Sequence, residues 1–154
     1  MELTNPINIS VSIIIVNYRT PSLTLACIDS IYAHTKGIDF EVIVVDNHSE
    51  DDSVERLSKD NRIILIESLR NGGFGYGNNL GMRVAHGKYF FLLNSDTLLV
   101  NNAIKEFYDY AESYEPRTLY GCYLIGDDGT YRGSFHYFPA LTIGAFFRRL
   151  FRKQ

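Results

Sequence analysis

The sequence predicts an α/β fold: a layered, largely parallel sheet with flanking helices, followed by a C-terminal β-hairpin. Short runs of apolar and β-branched residues alternate with helical patterns through residues 11–114. This alternation is typical of parallel strands joined by right-handed helical crossovers. The run at 88–93 is continuous rather than alternately polar, which favours a strand buried on both faces. Near the end of the chain, Gly-Asp-Asp-Gly at 126–129 separates two β-like runs, as a hairpin turn does.

Each predicted strand is a short apolar segment that stops at polar residues. The strands are predicted at residues 11–16, 40–45, 62–66 and 88–93, and the hairpin at 120–125 and 130–137. The first helix is predicted to begin at Pro21, which suits the first helical turn, with Thr20 as its N-cap. The helices are predicted at residues 21–34, at 53–59, from the glycine-rich segment to about 86, and at 101–114.

The bulk composition excludes several classes of protein. A chain of 154 residues fits one domain, 1–154, with a sizeable core. The net charge of −3 gives no basic excess, so no nucleic-acid partner is expected. Cys27 and Cys122 are too few for a disulfide framework and indicate a reducing compartment. Because neither a signal peptide nor a run of about 20 apolar residues is evident, we expect a cytoplasmic protein.

Polar side chains follow three of the predicted strands. Asn17 follows the first strand, Asp46 the second, and Asn94, Ser95 and Asp96 the fourth. In such sheets ligands bind beyond the carboxyl ends of the strands, so these residues indicate a nucleotide pocket with Asp46 near the base or ribose. Asp96 suits a hard divalent cation that also takes phosphate oxygens. The alternative is that these polar residues merely end their strands.

A glycine-rich segment, residues 71–79 (Asn-Gly-Gly-Phe-Gly-Tyr-Gly-Asn-Asn), leads into the third helix. Its spacing matches neither the dinucleotide-binding fingerprint nor the phosphate-binding loop of NTPases. The glycines still allow close approach of the backbone, and the amides that open a helix can bind an anion. The alternative is a flexible turn whose small residues serve helix–sheet packing.

Together these segments resemble the inverting nucleotide-sugar glycosyltransferases of family 2, which have the GT-A fold. Two motifs are 11–18 (Val-Ser-Ile-Ile-Ile-Val-Asn-Tyr) and 43–47 (Ile-Val-Val-Asp-Asn) followed by Ser49. Residues 71–81 are close to the form seen in rhamnosyltransferase-like members, and 91–97 (Phe-Leu-Leu-Asn-Ser-Asp-Thr) occupy the place of the Asp-x-Asp motif. The resemblance implies transfer of a sugar from a nucleotide-diphosphate donor to a glycan or lipid-linked acceptor.

The resemblance also implies roles for individual residues. Asp46 matches the aspartate that contacts the base, and Asn94 stands where many members have the first Asp of Asp-x-Asp. Asp96 matches the last Asp of that motif, which holds Mn²⁺ or Mg²⁺ against the diphosphate and so helps its departure. The implied nucleotide-sugar-binding residues are Asn17, Tyr18, Asp46, Gly73, Asn78, Asn79 and Asn94.

No catalytic base is identified in this chain. In the family the base is a carboxylate in a later Glu-Asp-type motif, whereas no residue in 140–154 is acidic. The expectation is a donor-binding part, truncated before the catalytic-base region, that binds the donor but transfers little or no sugar. The alternatives are a non-catalytic nucleotide-sugar-binding module and an unrelated oxidoreductase, which the missing glycine fingerprint argues against. The basic segment 146–153 is interpreted either as a solvated helix end or as a weak peripheral contact with the cytoplasmic membrane surface.

Overall fold

Four parallel strands form the central sheet in a computed structural model of the chain, which describes residues 9–114, 119–121, 123–126 and 128–133. The order across the sheet is β3-β2-β1-β4, so β1 and β2 are central. Because neighbouring strands all run in the same direction, their last residues share one side, here called the carboxyl edge. The opposite side is called the amino edge. The strands are β1 (Val11–Asn17), β2 (Phe40–Asp46), β3 (Ile63–Glu67) and β4 (Tyr89–Asn94).

A helix follows each strand, which confirms the predicted α/β alternation. Pro21 occupies the first turn of the first helix, but Thr20 makes no side-chain capping bond at the N-cap position. The third helix begins at Phe74, so most of the glycine-rich segment is helical rather than a loop. The helices are α1 (Pro21–His34), α2 (Ser53–Leu57), α3 (Phe74–Val84) and α4 (Ala103–Glu112).

The two central strands are buried on both faces, which explains their continuous apolar sequences. On one face, Ile13 and Ile15 of β1 lie in a large cluster with side chains of α1, α2 and α4. On the other face, Ile14, Ile43 and Val45 lie in a smaller cluster that includes partly buried side chains of α3. All three side chains of the smaller cluster are fully buried. The sheet is therefore a layer between helices, as the sequence predicts.

The prediction that the fourth strand is buried on both faces is wrong. Side chains along β4 alternate in exposure: Phe90 is 49% and Leu92 48% exposed, whereas Leu93 is buried. Leu92 is the cross-strand partner of Ile14 and therefore shares its face of the sheet. On that face α3 packs against β1 and β2. Because β4 is an edge strand, the same helix does not bury its outer side chains.

Two glycines let α3 lie close to β1. A Cβ atom on Gly77 would stand 2.8 Å from Cγ1 of Val16, and one on Gly81 would stand 2.5 Å from Cγ2 of Ile14. Both distances are shorter than side-chain carbons tolerate, so any larger residue would push the helix away from the sheet. The packing alternative for the glycine-rich segment therefore holds for Gly77, and Gly81, two residues beyond the segment, packs in the same way.

The predicted hairpin is present as an antiparallel pair, β5 (Tyr123–Ile125) and β6 (Tyr131–Gly133). Gly129 has φ 74° and donates its backbone N–H to the carbonyl of Gly126 in the turn. Predicted residues 134–137, Cys122 and the basic segment 146–153 lie outside the described residues.

The chain divides into two compact units, Met1–Glu115 and Pro116–Gln154. The sheet and all the helices named above belong to the first unit, and the hairpin belongs to the second. None of the described helices is long and apolar enough to cross a membrane.

Candidate functional site

A cleft of about 330 Å³ opens at the carboxyl edge of the sheet. Its walls come from the residues that follow β1, β2 and β4 and from the segment that opens α3. Tyr18 and Phe74 are 41% and 53% exposed, so both residues are available to a ligand. The cleft lining includes Tyr18, Thr20, Asn47, Asn71, Gly73, Phe74 and Ser95.

A buried polar cluster joins the ends of β1 and β2 behind the cleft. Asn17 and Asp46 are register partners, and the Asn17 amide donates to Oδ1 of Asp46 over 2.7 Å. Asp46 also accepts from the hydroxyl of Ser49 at 2.5 Å and from its backbone N–H at 3.0 Å. The side-chain oxygen Oδ1 of Asn17 accepts hydrogen bonds from the hydroxyls of Thr24, at 2.8 Å, and Thr20, at 3.4 Å. Every polar atom of the Asn17 side chain is therefore engaged within the protein.

The exposure of Asp46 bears on the role implied for it. Asp46 is 2% exposed and Asn17 fully buried, and neither lines the cleft. The carboxylate of Asp46 is held by internal donors, which satisfy a buried charge. The direct contact between Asp46 and a nucleotide base stays a prediction, and the structure places this carboxylate behind the wall of the cleft.

The turn after β1 has an unusual backbone. Arg19 has φ 58°, a left-handed value that residues with side chains rarely adopt. Its backbone N–H donates to the hydroxyl of Ser49 at 3.0 Å, and its Nε donates to the carbonyl of Ser49 at 2.8 Å. The guanidinium also lies over the ring of Tyr18, 5.1 Å from the ring centre, and 3.5 Å from the carboxylate of Glu50. These contacts fix Tyr18 at the cleft.

A second polar cluster holds the glycine-rich segment against the end of β2. The Asn47 amide donates to Oδ1 of Asn71 over 2.8 Å, and the backbone N–H of Gly72 donates to Oδ1 of Asn47 over 3.1 Å. Oδ1 of Asn71 also accepts from the backbone N–H of Gly73 at 3.0 Å. Gly73 has φ 81°, which favours glycine. Asn47 therefore positions the entry to α3.

The other two asparagines predicted in this segment lie away from the cleft lining. Asn78 is 3% exposed, and its amide donates to the carbonyl of Phe74 one turn earlier in the helix. Its Oδ1 is buried without a hydrogen-bond partner among the described residues. Asn79 is exposed on α3.

Asn94 and Asp96 are exposed at the end of β4, on either side of Ser95, which lines the cleft. Within the described residues, neither side chain makes a hydrogen bond or an ion pair. The Ser95 hydroxyl lies 3.5 Å from that of Thr20, which connects this strand end to the start of α1. A free carboxylate with a neighbouring amide can serve an external ligand, because no internal donor competes for the oxygens.

The pKa of the buried Cys27 thiol is affected by the charge of Asp96. Burial, with a further contribution from the Asp96 carboxylate, raises the pKa of Cys27 to about 12. The thiol is fully buried and lies 3.7 Å from the backbone oxygen of Asn94. Cys27 is therefore a packing residue rather than a nucleophile, because its thiolate is inaccessible at neutral pH.

The donor set at the end of β4 suits a hard cation that shares its coordination with a phosphate ligand. In the described part of the chain, no group of three or more His, Cys, Asp or Glu side chains could hold a metal by itself. Asp96 offers a free carboxylate and Asn94 an amide oxygen, and Mg²⁺ is commonly held by one or two carboxylates with water and phosphate oxygens. The residues present fit a divalent cation of this kind.

A match to the family described as "Glycosyl transferase family 2" covers residues 12–154. The chain belongs to this family. One relative is the glycosyltransferase GlyG of Streptococcus pneumoniae serotype 4, with 26% identity over 83% of this chain and 43% of the relative. Another is the Escherichia coli UDP-Glc:alpha-D-GlcNAc-diphosphoundecaprenol beta-1,3-glucosyltransferase WfaP, with 31% identity over 88% of this chain and 54% of the relative. The chain spans about half the length of these two relatives.

The solved structures of TarS from Staphylococcus aureus share the fold of this family 2 chain. Residues 1–349 of TarS in complex with UDP superpose with a TM-score of 0.61 and 22% identity, over 68% of this chain and 32% of that TarS fragment. This likeness confirms the predicted GT-A fold. The rhamnosyltransferase-like subtype stays a prediction.

Sequence patterns missed several residues that shape the cleft. Asn47 and Asn71 appeared only as parts of motifs, and Ser49 only as a neighbour of Asp46, although their hydrogen bonds hold the cleft walls. A signal was available: each is a short polar side chain next to a strand end or a glycine, where such side chains bond to the backbone. Their long-range partners could not be read from the sequence, because these lie 24 to 32 residues away along the chain.

Proposed function

We propose that the cleft binds a nucleotide-diphosphate sugar, and that the protein transfers the sugar to a glycan or lipid-linked acceptor. The observation that carries this proposal is the exposed pair Asn94 and Asp96, which flank the cleft residue Ser95 in the chain and make no side-chain hydrogen bond or ion pair within the described residues. Two exposed aromatic residues, Tyr18 and Phe74, line the same cleft. Membership of family 2 supports the reaction type, and the names of relatives such as WfaP support a nucleotide-sugar donor.

The cleft provides separate features for the parts of such a donor. The exposed rings of Tyr18 and Phe74 offer apolar faces on which a base can stack. At the start of α3 the first backbone bond of the helix runs from the N–H of Gly77 to the carbonyl of Gly73, so the N–H groups before Gly77 are free of helical partners. These N–H groups favour an anionic group such as the diphosphate.

Asp96, assisted by Asn94, would hold Mn²⁺ or Mg²⁺ at the end of β4. A cation there would supply charge neutralisation for the departing diphosphate. The Asp96 carboxylate is available for a metal because it is exposed and makes no hydrogen bond or ion pair within the residues that the structure describes. Ser95, which stands between Asn94 and Asp96 in the chain, lines the cleft, and this adjacency supports a metal site at the rim of the cleft.

The catalytic base of the transfer is not assigned to a residue of this chain. None of the described residues that line the cleft is acidic, and Asp96 is expected to serve the metal. We therefore expect donor binding with little or no transfer from residues 1–154 alone. The same observation favours the second candidate function, a nucleotide-sugar-binding module without catalysis.

Calorimetry with UDP-, dTDP- and GDP-linked sugars, each with Mn²⁺, tests the proposal. We expect saturable binding of at least one donor, weakened when the metal is chelated, and no binding of NAD(P)H. The donor that binds best also separates hexosyl from rhamnosyl transfer. Absence of binding by all three nucleotide sugars would overturn the proposal.

A cytoplasmic protein that touches the membrane surface through residues 146–153 fits a lipid-linked acceptor. We propose this placement from the basic composition of that segment. Sedimentation with anionic and with neutral vesicles is the measurement that decides it: binding to anionic vesicles alone is expected, and no binding to either removes the membrane contact.

A further inference from the structure

Ser49 is the hub of the buried cluster behind the cleft. The residue is 1% exposed. Its hydroxyl donates to Asp46 at 2.5 Å and accepts from the Asn17 amide at 3.2 Å and from the backbone N–H of Arg19 at 3.0 Å. A serine hydroxyl has one hydrogen to donate and two lone pairs to accept with, so its hydrogen-bonding capacity is filled.

Both main-chain groups of Ser49 add to this hub. The backbone N–H of Ser49 donates to Oδ2 of Asp46 at 3.0 Å, and its carbonyl accepts from Nε of Arg19 at 2.8 Å. Asp46 thereby fixes Ser49 on one side, and Ser49 fixes both the backbone and the side chain of Arg19 on the other. The turn after β1 is thus bound to the loop after β2.

The turn after β1, which Ser49 holds, determines the position of the aromatic residue Tyr18 in the cleft wall. Arg19 keeps a left-handed backbone, with φ 58°, that is unfavourable unless its surroundings impose it. Its guanidinium lies over the ring of Tyr18, which lines the cleft. Without the bonds from Ser49, the turn is free to relax to an ordinary backbone conformation, and Tyr18 moves with it.

We propose that Ser49 is a positioning residue for the donor: through Arg19 it holds Tyr18 in the cleft wall, and Asp46 acts by anchoring Ser49 rather than by touching the ligand. This inference rests on the proposed donor binding. It assigns no direct ligand contact to Ser49, which does not line the cleft.

A matched control exists at the amino edge of the same sheet. Ser12 is fully buried, and its hydroxyl donates to Glu41 at 2.5 Å and accepts from the backbone N–H of Gly87 at 2.8 Å. Ser12→Ala therefore removes a comparable buried hydroxyl and its bond to a carboxylate, far from the cleft lining. A loss of stability common to both variants can then be separated from a loss of positioning.

The experiment compares Ser49→Ala, Ser49→Thr and Ser12→Ala by amide hydrogen exchange and by donor calorimetry. We expect Ser49→Ala to speed exchange of the Arg19 amide roughly tenfold relative to the interior of β1, because that amide loses its acceptor. We also expect weaker donor binding, by roughly tenfold, whereas Ser12→Ala leaves both unchanged. Ser49→Thr keeps the hydroxyl and should restore most of each property.

Unchanged exchange of the Arg19 amide in Ser49→Ala overturns the proposal, and so does donor binding that falls equally in Ser49→Ala and Ser12→Ala. If Ser49→Ala does not fold, Arg19→Ala tests the same link from an exposed side chain, and it should weaken donor binding severalfold. Exchange is measured without ligand. Failure of the wild-type protein to bind any donor would therefore defeat the proposed function while leaving the exchange result to decide whether Ser49 positions the turn.

Discussion

A serine hydroxyl donates a hydrogen bond to a carboxylate at each of the two ends of β2, but the surroundings of the two carboxylates differ. At the amino edge, Glu41 accepts a bond from the hydroxyl of Ser12 at 2.5 Å, and at the carboxyl edge Asp46 accepts one from Ser49 at 2.5 Å. Each carboxylate accepts a hydrogen bond from its register partner in β1: Glu41 from Ser12, and Asp46 from Asn17. Both carboxylates are little exposed, the side chain of Glu41 by 10% and Asp46 by 2%.

The two edges differ in what surrounds these carboxylates. At the amino edge, the chain before β4 closes over Glu41, since the backbone N–H groups of His86 and Gly87 bond to Glu41 and Ser12. At the carboxyl edge the cluster lies behind an open cleft, and Asp96 beside that cleft makes no bond within the described residues. A buried carboxylate alone therefore does not mark a site. What distinguishes the carboxyl edge is the open cleft and the exposed Asp96 at the end of the neighbouring strand β4.

Asp96→Asn should produce the largest difference between the two edges. We expect metal-dependent donor binding to fall by at least the roughly 10–100-fold that loss of an outer-shell partner costs, because the proposed metal would lose its carboxylate ligand. Stability should change by less than about 0.5 kcal/mol, since Asp96 is exposed. Calorimetry with and without Mn²⁺ measures the first and thermal unfolding the second. The control is Asp39→Asn, an exposed carboxylate before β2 at the amino edge. Equal loss in both variants would contradict the assignment.

Asp46→Ala should damage both the fold and the cleft. It leaves the amide of Asn17 and the N–H and hydroxyl of Ser49 without their acceptor, and we expect a loss of about 3 kcal/mol. Glu41→Ala should cost a similar amount, because Ser12 and His86 lose theirs. Urea denaturation gives both values. Only Asp46→Ala should also weaken donor binding, measured where both variants are folded. Weakened donor binding in Glu41→Ala would contradict the claim that only the carboxylate at the carboxyl edge affects the donor site.

Gly81→Ala should test how α3 reaches the carboxyl edge. The new Cβ would stand 2.5 Å from Cγ2 of Ile14, and overpacking of this kind costs about 1–3 kcal/mol. Gly75, in the same helix, has open space around the position of a Cβ, so Gly75→Ala should stabilise by about 0.5–1 kcal/mol. Denaturant midpoints of the pair give the comparison. Equal midpoints would show that the close approach of α3 to β1 is absent in solution.

Glu41→Gln should reveal the smallest and most pH-dependent effect. Burial raises the pKa of Glu41, but hydrogen bonds from Ser12 and His86 outweigh it and leave the pKa below its ordinary value. A depressed pKa stabilises the fold above the unfolded pKa of a glutamate, about 4.3, and that stability is lost as the pH falls through the folded pKa. We expect wild type to exceed Glu41→Gln by about 1–2 kcal/mol at pH 7, with the gap closing below about pH 4. A gap that widens in acid would contradict the sign.

The strands and helices could be predicted because each depends on a local pattern, such as the β-branched run of β1 or Pro21 at the start of α1. The exposure of β4 could not, because an apolar run does not show its place in the sheet. Phe90 is exposed since β4 lies at the edge. Likewise, the burial of Asp46 depends on a turn after β1 and a loop after β2 meeting in space, and no local pattern contains that meeting.

Mapping a bound nucleotide on the protein by NMR tests most directly whether the cleft at the carboxyl edge is the donor site. Titration of ¹⁵N-labelled protein with UDP and Mg²⁺ should shift the amides of cleft residues Tyr18, Asn47, Gly73 and Ser95. The chemical shifts of amides at the amino edge, such as those of Ser12 and Gly87, should not change. Shifts confined to the carboxyl edge are the result we expect. Shifts centred on the amino edge, or none at saturating UDP, would contradict a donor site in this cleft.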